Sequence, residues 1–338
     1  MKGKLKSAIL GFGGIGHVHA AQYAGLKNVE LVALCDIDPA KLKTAAETIN
    51  IGDSGKTDLA KLRKYLSYEE LVKNEPDVDM IDICLPTDLH CEYACRAMRD
   101  GYHVLCEKPM ALDSADCRKM VRTSEATGKR LMIAQVLRFN RGFETLRKAI
   151  ESGKYGKLLH LSMRRVGALP HRLWFRDAKR SGGALLDLHL HDIDFIQSVL
   201  GKPEFLQCYG AQVTSDAIDD AVATYVYPDG CFATAEVSWC RSSFSFYAAA
   251  VFEKATLEYE DRKHVFVCQN DKEPKPIELG VDKPYGTSDG TPHLPLSKGL
   301  FCKVSIKGSE RSEIVLPRYA IHENSVYIVE DGKLVIRP

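Results

Sequence analysis

Between an apolar run and a helical pattern the chain reads Gly11-Phe12-Gly13-Gly14-Ile15-Gly16, and this stretch decides the fold. It matches G-x-G-x-x-G, the glycine spacing of a turn that binds the pyrophosphate of a dinucleotide. The first glycine permits the tight turn, the second lets the pyrophosphate approach the backbone, and the third allows close helix–strand packing. The N-terminus of the following helix supplies N–H donors and the positive end of a dipole. Glycine-rich turns are common, so the motif is a weak signal by itself.

An acidic residue after the next predicted strand strengthens this interpretation. Asp36 follows the strand Val29–Cys35, where a carboxylate holds the hydroxyls of the adenosine ribose. The same carboxylate repels a 2′-phosphate, and Ile37-Asp38 supply no arginine to neutralise one. We therefore expect NAD rather than NADP, bound by the glycine stretch with Asp36 and Ile37. The alternative is a glycine turn beside a solvated aspartate.

Strands and helices alternate through the first third of the chain. The predicted strands are Lys6–Leu10, Val29–Cys35, Val78–Leu85, Tyr102–Cys106 and Arg130–Gln135, and the predicted helices include Gly14–Leu26, Asp88–Asp100 and Asp113–Thr127. Such alternation indicates a parallel sheet with helices on both faces. Ser67 and Glu70 form a capping box before a further short helix, and residues 50–61 are interpreted as a polar insertion. We expect residues 1–136 to form a doubly wound Rossmann domain, giving an α/β fold class.

The pattern changes after about residue 137. A helix is predicted near Phe143–Ser152, a strand at Lys157–Arg165 and one long helix from Gly183 to Leu200. The strands predicted next are Phe205–Val213, Ala221–Tyr227, Cys231–Trp239, Phe244–Phe252, Ala255–Tyr259 and Val265–Gln269. Consecutive strands indicate a mostly antiparallel, open sheet, so residues 137–338 are predicted to form an α+β domain. Residues 284–295 are predicted to form a loop.

Composition and charge narrow the class of protein. The 338 residues are 45% hydrophobic and 27% charged, as in an ordinary globular protein long enough for two domains. Lys plus Arg number 46 against 45 for Asp plus Glu, so charge favours neither nucleic acid nor a membrane surface as a partner. No apolar run approaches the roughly 18 residues of a membrane span. Eleven scattered cysteines indicate reduced thiols, and no metal site is predicted. We expect a cytoplasmic protein.

Two groups of polar residues stand where chemistry is expected. Glu107-Lys108-Pro109 follows the strand Tyr102–Cys106, at the sheet edge where doubly wound folds bind ligands. Lys108 could hydrogen-bond a reacting hydroxyl, and the alternative is a loop lysine in a surface ion pair. Asp187 and His191, four residues apart, are predicted to share one helix face. A histidine beside a carboxylate suits a general base, although such pairs are more often structural.

Together these stretches resemble one family, the group of glucose–fructose oxidoreductase, inositol dehydrogenase and MocA-type proteins. The resemblance covers residues 5–240. Its features, in order, are the glycine stretch, Leu85-Pro86-Thr87 with His90, Glu107-Lys108-Pro109, Gln135–Asn140, and Ser181-Gly182-Gly183 through Asp187, His191 and Asp194. It implies hydride transfer between NAD and a carbinol or carbonyl carbon of a sugar, sugar derivative or cyclitol. From about Gly280 onward the resemblance fades, so substrate contacts from that region are not transferred.

The resemblance also implies roles for individual residues. Lys108, Asp187 and His191 match the catalytic trio of the family, and we expect His191 to take the hydroxyl proton while Lys108 hydrogen-bonds the substrate oxygen. Whether Lys108 or His191 transfers the proton is left open. The residues implied to line the nicotinamide and substrate region are Leu85, Pro86, Thr87, His90, Glu107, Lys108 and Arg138. Trp174 is a candidate for stacking on a sugar ring. His189, where many members have glycine, is expected to be structural.

Three questions stay open at this point. The reaction could run as a reduction, although an NAD preference favours oxidation. A non-catalytic regulator that senses NAD or a sugar would need the glycine stretch but not the trio. Six basic residues from Arg164 to Arg180, against the single acid Asp177, favour an anionic substrate or else form a solvated or subunit-contacting stretch. Because an open sheet leaves one face uncovered, we expect a homodimer or homotetramer.

Overall fold

The computed structural model describes residues 4–43, 61–260, 263–269, 272–279, 326–330 and 333–337. The described chain divides into two compact units. The first comprises residues 4–43, 61–111 and 115–134, and the second comprises residues 112–114 and those from 135 onward. Two predicted segments lie outside the described residues: the polar insertion at residues 50–61, of which only Lys61 is described, and the loop at residues 284–295.

The first unit is built on a six-stranded sheet in which neighbouring strands are parallel. Its strands are β1 (Leu5–Leu10), β2 (Val29–Cys35), β3 (Arg63–Tyr65), β4 (Met80–Ile83), β5 (His103–Cys106) and β6 (Leu131–Ile133). Their order, β3-β2-β1-β4-β5-β6, is that of a Rossmann domain and confirms the predicted fold class. The order reverses between β1 and β4, and ligands of such folds bind outside the carboxyl ends of the strands at this switch point.

Apolar side chains cover both faces of this sheet. Along β1, Ala8 and Leu10 belong to one buried cluster and Ile9 belongs to another, as the two-residue period of a strand requires. The helices of the unit are α1 (Gly14–Ala24), α2 (Tyr68–Asn74), α3 (His90–Arg99) and α4 (Ser114–Thr127). Ser67 Oγ accepts the N–H of Glu70 at 3.2 Å, so the predicted cap of α2 is present.

The second unit contains an eight-stranded sheet in the order β14-β13-β12-β11-β7-β10-β9-β8. Its strands are β7 (Leu158–Ala168), β8 (Phe205–Ala211), β9 (Asp220–Val226), β10 (Phe232–Ser238), β11 (Cys240–Phe252), β12 (Thr256–Tyr259), β13 (His264–Cys268) and β14 (Lys275–Glu278). All neighbours are antiparallel except β7 and β10, which confirms the mostly antiparallel prediction. A separate hairpin joins β15 (Val326–Glu330) to β16 (Lys333–Arg337).

Helices of the second unit share one apolar core with the sheet. They are α5 (Arg141–Ser152), α6 (Ala178–Ser181), α7 (Gly183–Asp187) and α8 (Leu190–Leu200). Phe143 on α5 packs edge to face against Phe195 on α8 and Tyr259 on β12, with ring centroids 4.9 and 5.4 Å away. None of the described helices is long and apolar enough to cross a membrane.

The prediction of one continuous helix from Gly183 to Leu200 is wrong. The backbone N–H groups of Leu188 and His189 both bond to the carbonyl of Ala184, at 2.9 and 3.0 Å, and this closes α7. His189 then turns into the core, where its Nε2 lies 3.1 Å from the hydroxyl of Tyr225. This contact with β9 interrupts a pattern whose local period favours an unbroken helix.

Candidate active site

The glycine stretch forms the turn from β1 into α1 at the switch point of the first sheet. Gly11 has φ of +97°, and a Cβ on it would lie 2.6 Å from the carbonyl oxygen of Cys84. A Cβ on Gly16 would lie 2.3 Å from the carbonyl oxygen of Gly11. Both positions therefore require glycine, because a side chain would collide with the neighbouring backbone, and the close turn that results fits a dinucleotide pyrophosphate.

Asp36, at the end of β2, closes this turn. Its buried carboxylate accepts the N–H of Phe12 at 2.8 Å and the N–H of Asp38 at 2.9 Å. Beside it Ile37 is 88% exposed and presents an apolar surface suited to an adenine face. The sequence reasoning missed Lys41, whose Nζ lies 3.3 Å from Asp36 Oδ1, because it considered only the two residues after the aspartate.

The residues after β4 brace the turn that carries Lys108. His90 is buried, with its Nε2 2.8 Å from the carbonyl oxygen of Leu85 and its Nδ1 2.7 Å from that of Pro109. Burial lowers the pKa of His90, and the two carbonyl oxygens act in the opposite direction. Thr87 is also buried, whereas Leu85 and Pro86 are half-buried. Contact of these residues with the nicotinamide stays a prediction.

Glu107-Lys108-Pro109 follows β5 at the carboxyl edge of the sheet. Glu107 is buried, and its Oε2 accepts the backbone N–H of Lys108 at 3.0 Å. Its Oε1 lies 2.9 Å from Nε2 of His19, a residue that the sequence reasoning did not select. The Lys108–Pro109 peptide is cis, and the side chain of Lys108 is half-buried. Glu107 thus points inward and holds the turn, while Lys108 keeps access to solvent.

One cluster among the described residues has the spacing of metal ligands. Candidate atoms of His19, Asp82 and Cys84 lie within 4.8 Å of one another. Burial raises the pKa of Cys84 to about 12, so the thiol stays protonated and is a weak ligand. Both ring nitrogens of His19 already face carboxylates at 2.9 Å. These contacts describe a hydrogen-bonded cluster rather than a metal centre.

In the second unit, Asp187 and His191 lie on either side of the break between α7 and α8. Asp187 is the last residue of α7, His191 is the second residue of α8, and both are half-buried. Between them His189 is 1% exposed, and burial lowers its pKa to about 3. The neutral, buried His189 is therefore a packing residue, whereas its two polar neighbours keep access to solvent.

A glycine and a neighbouring loop fix the start of α7. Gly183 has φ of +71°, and a Cβ on it would lie 2.5 Å from the Cβ of Ala217. The loop that contains Ala217 is held by buried Asp219, whose Oδ2 accepts the backbone N–H groups of residues 213–215 at 2.6 to 3.0 Å. The position of Asp187, four residues after Gly183, thus depends on the close approach of Gly183 to Ala217, which a side chain at residue 183 would prevent.

Two of the arginines that the sequence analysis singles out, Arg138 and Arg165, are engaged in ion pairs. Arg138 contacts Asp194 through two nitrogens, at 2.7 and 2.6 Å. Its predicted role in substrate binding stays a prediction. Arg165 is buried and pairs with buried Asp192 at 2.9 Å. Including Arg165 among the basic residues that could face an anionic substrate is therefore wrong, because it faces the core. Trp174 is half-buried and stacks on Phe175, with ring centroids 3.8 Å apart.

Each of the two units matches the model of a known protein family. Residues 5–135 match the family model described as an oxidoreductase family with an NAD-binding Rossmann fold, and residues 143–258 match the GFO/IDH/MocA C-terminal domain. The chain belongs to the GFO/IDH/MocA family. It is thus an NAD-dependent oxidoreductase, and the resemblance inferred from the sequence motifs is confirmed.

Several similar proteins are named as dehydrogenases. Inositol 2-dehydrogenase of Rhizobium meliloti (strain 1021) is 30% identical over 300 residues, 86% of this chain and 82% of that protein. D-glucoside 3-dehydrogenase of Escherichia coli (strain K12) is 29% identical over 258 residues, 71% of this chain and 70% of that protein. The WlbA dehydrogenase of Bordetella pertussis, solved with NADH and UDP-GlcNAcA, shares the fold. Its TM-score is 0.69 at 23% identity, over 81% of this chain and 80% of that one. These relatives give no support to a non-catalytic regulator.

Proposed function

We propose that this protein oxidises a ring or chain hydroxyl of a sugar, sugar derivative or cyclitol, and reduces the corresponding carbonyl in reverse. The observation that carries the proposal is the Lys108 turn. It lies at the same carboxyl edge as the glycine stretch, and Glu107 and His90 brace it through hydrogen bonds to its backbone. Two of the relatives are named for action on an inositol and on a glucoside, which supports a polyol substrate.

Residues 1–136 are assigned to NAD binding and residues 137–338 to substrate binding and self-association. The cofactor contacts comprise Gly11, Phe12, Gly13, Gly14, Ile15, Gly16, Asp36, Ile37, Leu85, Pro86, Thr87, His90, Glu107 and Lys108. When bound, the nicotinamide accepts or supplies the hydride. The protein's task is to orient the substrate carbon and to manage the charge and proton of its oxygen.

Lys108, Asp187 and His191 are assigned as the catalytic residues. The Lys108 ammonium hydrogen-bonds the substrate oxygen and stabilises the negative charge that develops there. His191 accepts the hydroxyl proton during oxidation and returns it during reduction, while Asp187 orients the substrate or His191. Trp174 supplies an aromatic surface for the sugar ring. Arg138 is less suited to substrate binding, because its guanidinium is paired with Asp194.

A substrate panel tests the proposed function. The purified protein is assayed for NADH formation with NAD and matched neutral and anionic compounds: cyclitols, aldoses, uronates, sugar phosphates and nucleotide sugars. The expected result is turnover of one polyol class, with a much lower kcat in Lys108→Ala. If no polyol is oxidised and no matching ketone is reduced, the proposal fails. Preference within the neutral and anionic pairs decides the charge of the substrate.

Self-association through the second sheet is also proposed. Phe205, Tyr209, Val222 and Phe232 lie on β8 to β10 with 38–71% exposure, although they are apolar or aromatic. A second copy would cover them in a dimer or tetramer. Sedimentation that shows only a 37.6 kDa species at micromolar concentration would contradict this. A cytoplasmic location is proposed as well, since all ten described cysteines are free thiols.

A further inference from the structure

A histidine that the proposed mechanism does not use lies directly behind the Lys108 turn. His19, on α1, has its Nδ1 2.9 Å from Asp82 Oδ2 and its Nε2 2.9 Å from Glu107 Oε1. The side chain of His19 is 15% exposed, and those of Asp82 and Glu107 are 0% and 8% exposed. The ring therefore connects β4 to the end of the neighbouring strand β5.

The two contacts determine the charge of the ring. An ionised carboxylate only accepts hydrogen bonds, and a neutral imidazole has a single N–H, so donation to both acids requires an imidazolium. Burial alone would lower the pKa of His19, but Asp82 and Cys84 counteract it, and the pKa lies well above 6.5. Burial acts to raise the pKa of Glu107, yet the hydrogen bond from His19 leaves it lowered. The cluster is thus an imidazolium between two carboxylates.

The far side of the cluster is anchored in the sheet. Asp82 stands in β4, and its Oδ2 also accepts the hydroxyl of Tyr23 at 2.9 Å. That hydroxyl in turn accepts the hydroxyl of Ser7, on β1, at 3.2 Å. Buried residues on β1 and α1 thus fix Asp82 on β4 through hydrogen bonds, and Asp82 in turn holds His19.

The near side of the cluster ends at the backbone of Lys108. While Glu107 Oε1 faces His19, its Oε2 accepts the N–H of Lys108 at 3.0 Å. The titratable groups that contact or act on His19 are Tyr23 from α1, Asp82 from β4, Cys84 directly after β4, and Glu107 from the turn after β5. A continuous series of hydrogen bonds thus connects the centre of the sheet to the peptide of Lys108.

We infer that His19 is a positioning residue for Lys108, because it orients the Glu107 carboxylate that holds the Lys108 backbone. The inference rests on the proposed function in so far as Lys108 is catalytic. Without the imidazolium, Asp82 and Glu107 would be two buried carboxylates with no donor between them. Glu107 would then take up a proton, which makes it a weaker acceptor, or turn away, and either change loosens its hold on the N–H of Lys108.

A measurement that needs no substrate tests the structural part. Amide hydrogen exchange of the NAD-bound enzyme is followed by NMR at Lys108, and ¹⁵N shifts of the histidine rings report their protonation. In His19→Gln the Lys108 amide should exchange at least about 10-fold faster, because Glu107 no longer holds it. The matched control is His17→Gln on the same helix, since His17 Nδ1 contacts the carbonyl of Gly13 at 2.8 Å and, among the described residues, no carboxylate. A neutral His19 ring, or equal exchange in all three proteins, overturns the inference.

Kinetics test the functional part with the best polyol from the panel. His19→Gln should lower kcat about 10- to 100-fold, the size expected when a catalytic group is misplaced by about 1 Å, with the Kd for NAD within about 2-fold. Glu107→Gln should lower kcat similarly, and the double variant should lose no more than either single variant, because both act through one link. Additive losses, or a normal kcat in His19→Gln, overturn the inference.

Failure of the proposed function remains distinguishable. If the wild type oxidises no polyol but His19→Gln still releases the Lys108 amide, the proposed function fails and the positioning of Lys108 stands. If the wild type turns over a polyol and the amide of Lys108 exchanges normally in His19→Gln, only the inference fails. Should His19→Gln not fold, Glu107→Gln gives the same exchange readout from the other partner.

Discussion

The two segments proposed to meet the substrate are held in place by different forces. Buried polar groups brace the Lys108 turn. Glu107 accepts the backbone N–H of Lys108, and His90 contacts the carbonyl oxygen of Pro109. The Asp187–His191 segment is shaped instead by close steric contact at Gly183 and by burial of His189. The first segment should therefore respond to charge and protonation, and the second to side-chain volume. Changes at each can test this difference.

The largest effect is expected at Lys108. Lys108→Ala removes the ammonium that is proposed to stabilise the substrate oxygen, and it should lower kcat by roughly 10²-fold or more. The Kd for NAD should change little, since the glycine stretch is built from other residues. Lys108→Arg is the matched control, because it keeps the charge and should retain more activity than alanine. Near-normal kcat in Lys108→Ala on the true substrate would remove Lys108 from the mechanism.

Neighbouring histidines separate chemistry from packing in the second segment. His191→Ala should lower kcat by roughly 10²-fold through loss of the general base, with a nearly unchanged Tm. His189→Ala should instead destabilise the fold by about 1–3 kcal/mol, because it leaves a cavity and removes the partner of Tyr225. Urea unfolding and steady-state kinetics on both variants measure the two effects. Equal kinetic losses in both would show that His191 acts only through packing.

Features coded within a short stretch could be predicted from the sequence. The glycine stretch, Asp36 and the Lys108 turn each follow the end of a strand, so strand alternation and residue type were sufficient to place them at one sheet edge. The mostly antiparallel second sheet followed from consecutive strands. Short edge strands such as β3 were missed, because three residues carry too little periodic signal.

Features that depend on distant contacts could not be predicted in this way. His19 meets Asp82 and Glu107, 63 and 88 residues further along the chain. The break before α8 depends on Tyr225, 36 residues after His189. Arg165 did carry a signal, since it continues the inward-facing alternation of Leu161 and Met163 on β7. A charged residue at an apolar strand position indicates a buried partner, here Asp192.

A smaller effect concerns the choice of cofactor. Asp36→Ala removes the carboxylate that is proposed to bind the ribose hydroxyls and to repel a 2′-phosphate, so the preference for NAD over NADP should narrow by about 10-fold or more. Lys41 sharpens this test, because its ammonium lies beside Asp36 and would face a 2′-phosphate once the carboxylate is gone. The double variant Asp36→Ala/Lys41→Ala should therefore use NADP less well than Asp36→Ala. An unchanged kcat/KM ratio in Asp36→Ala would contradict the assignment.

The smallest effect is a pH dependence of stability confined to the charged brace. A pKa raised on folding, as for His19, stabilises the fold fully below the unfolded value of 6.5, and this contribution is lost as the pH rises through the folded pKa. A pKa lowered on folding, as for Glu107, stabilises the fold above the unfolded value of 4.5. This contribution is lost as the pH falls through the folded pKa. The Tm gap between wild type and His19→Gln should thus be widest between these two values and narrow on the alkaline side. His17→Gln should not reproduce that change, because its ring contacts a carbonyl. A Tm gap for His19→Gln that stays constant into the alkaline range would mean that volume, rather than charge, holds the Lys108 turn.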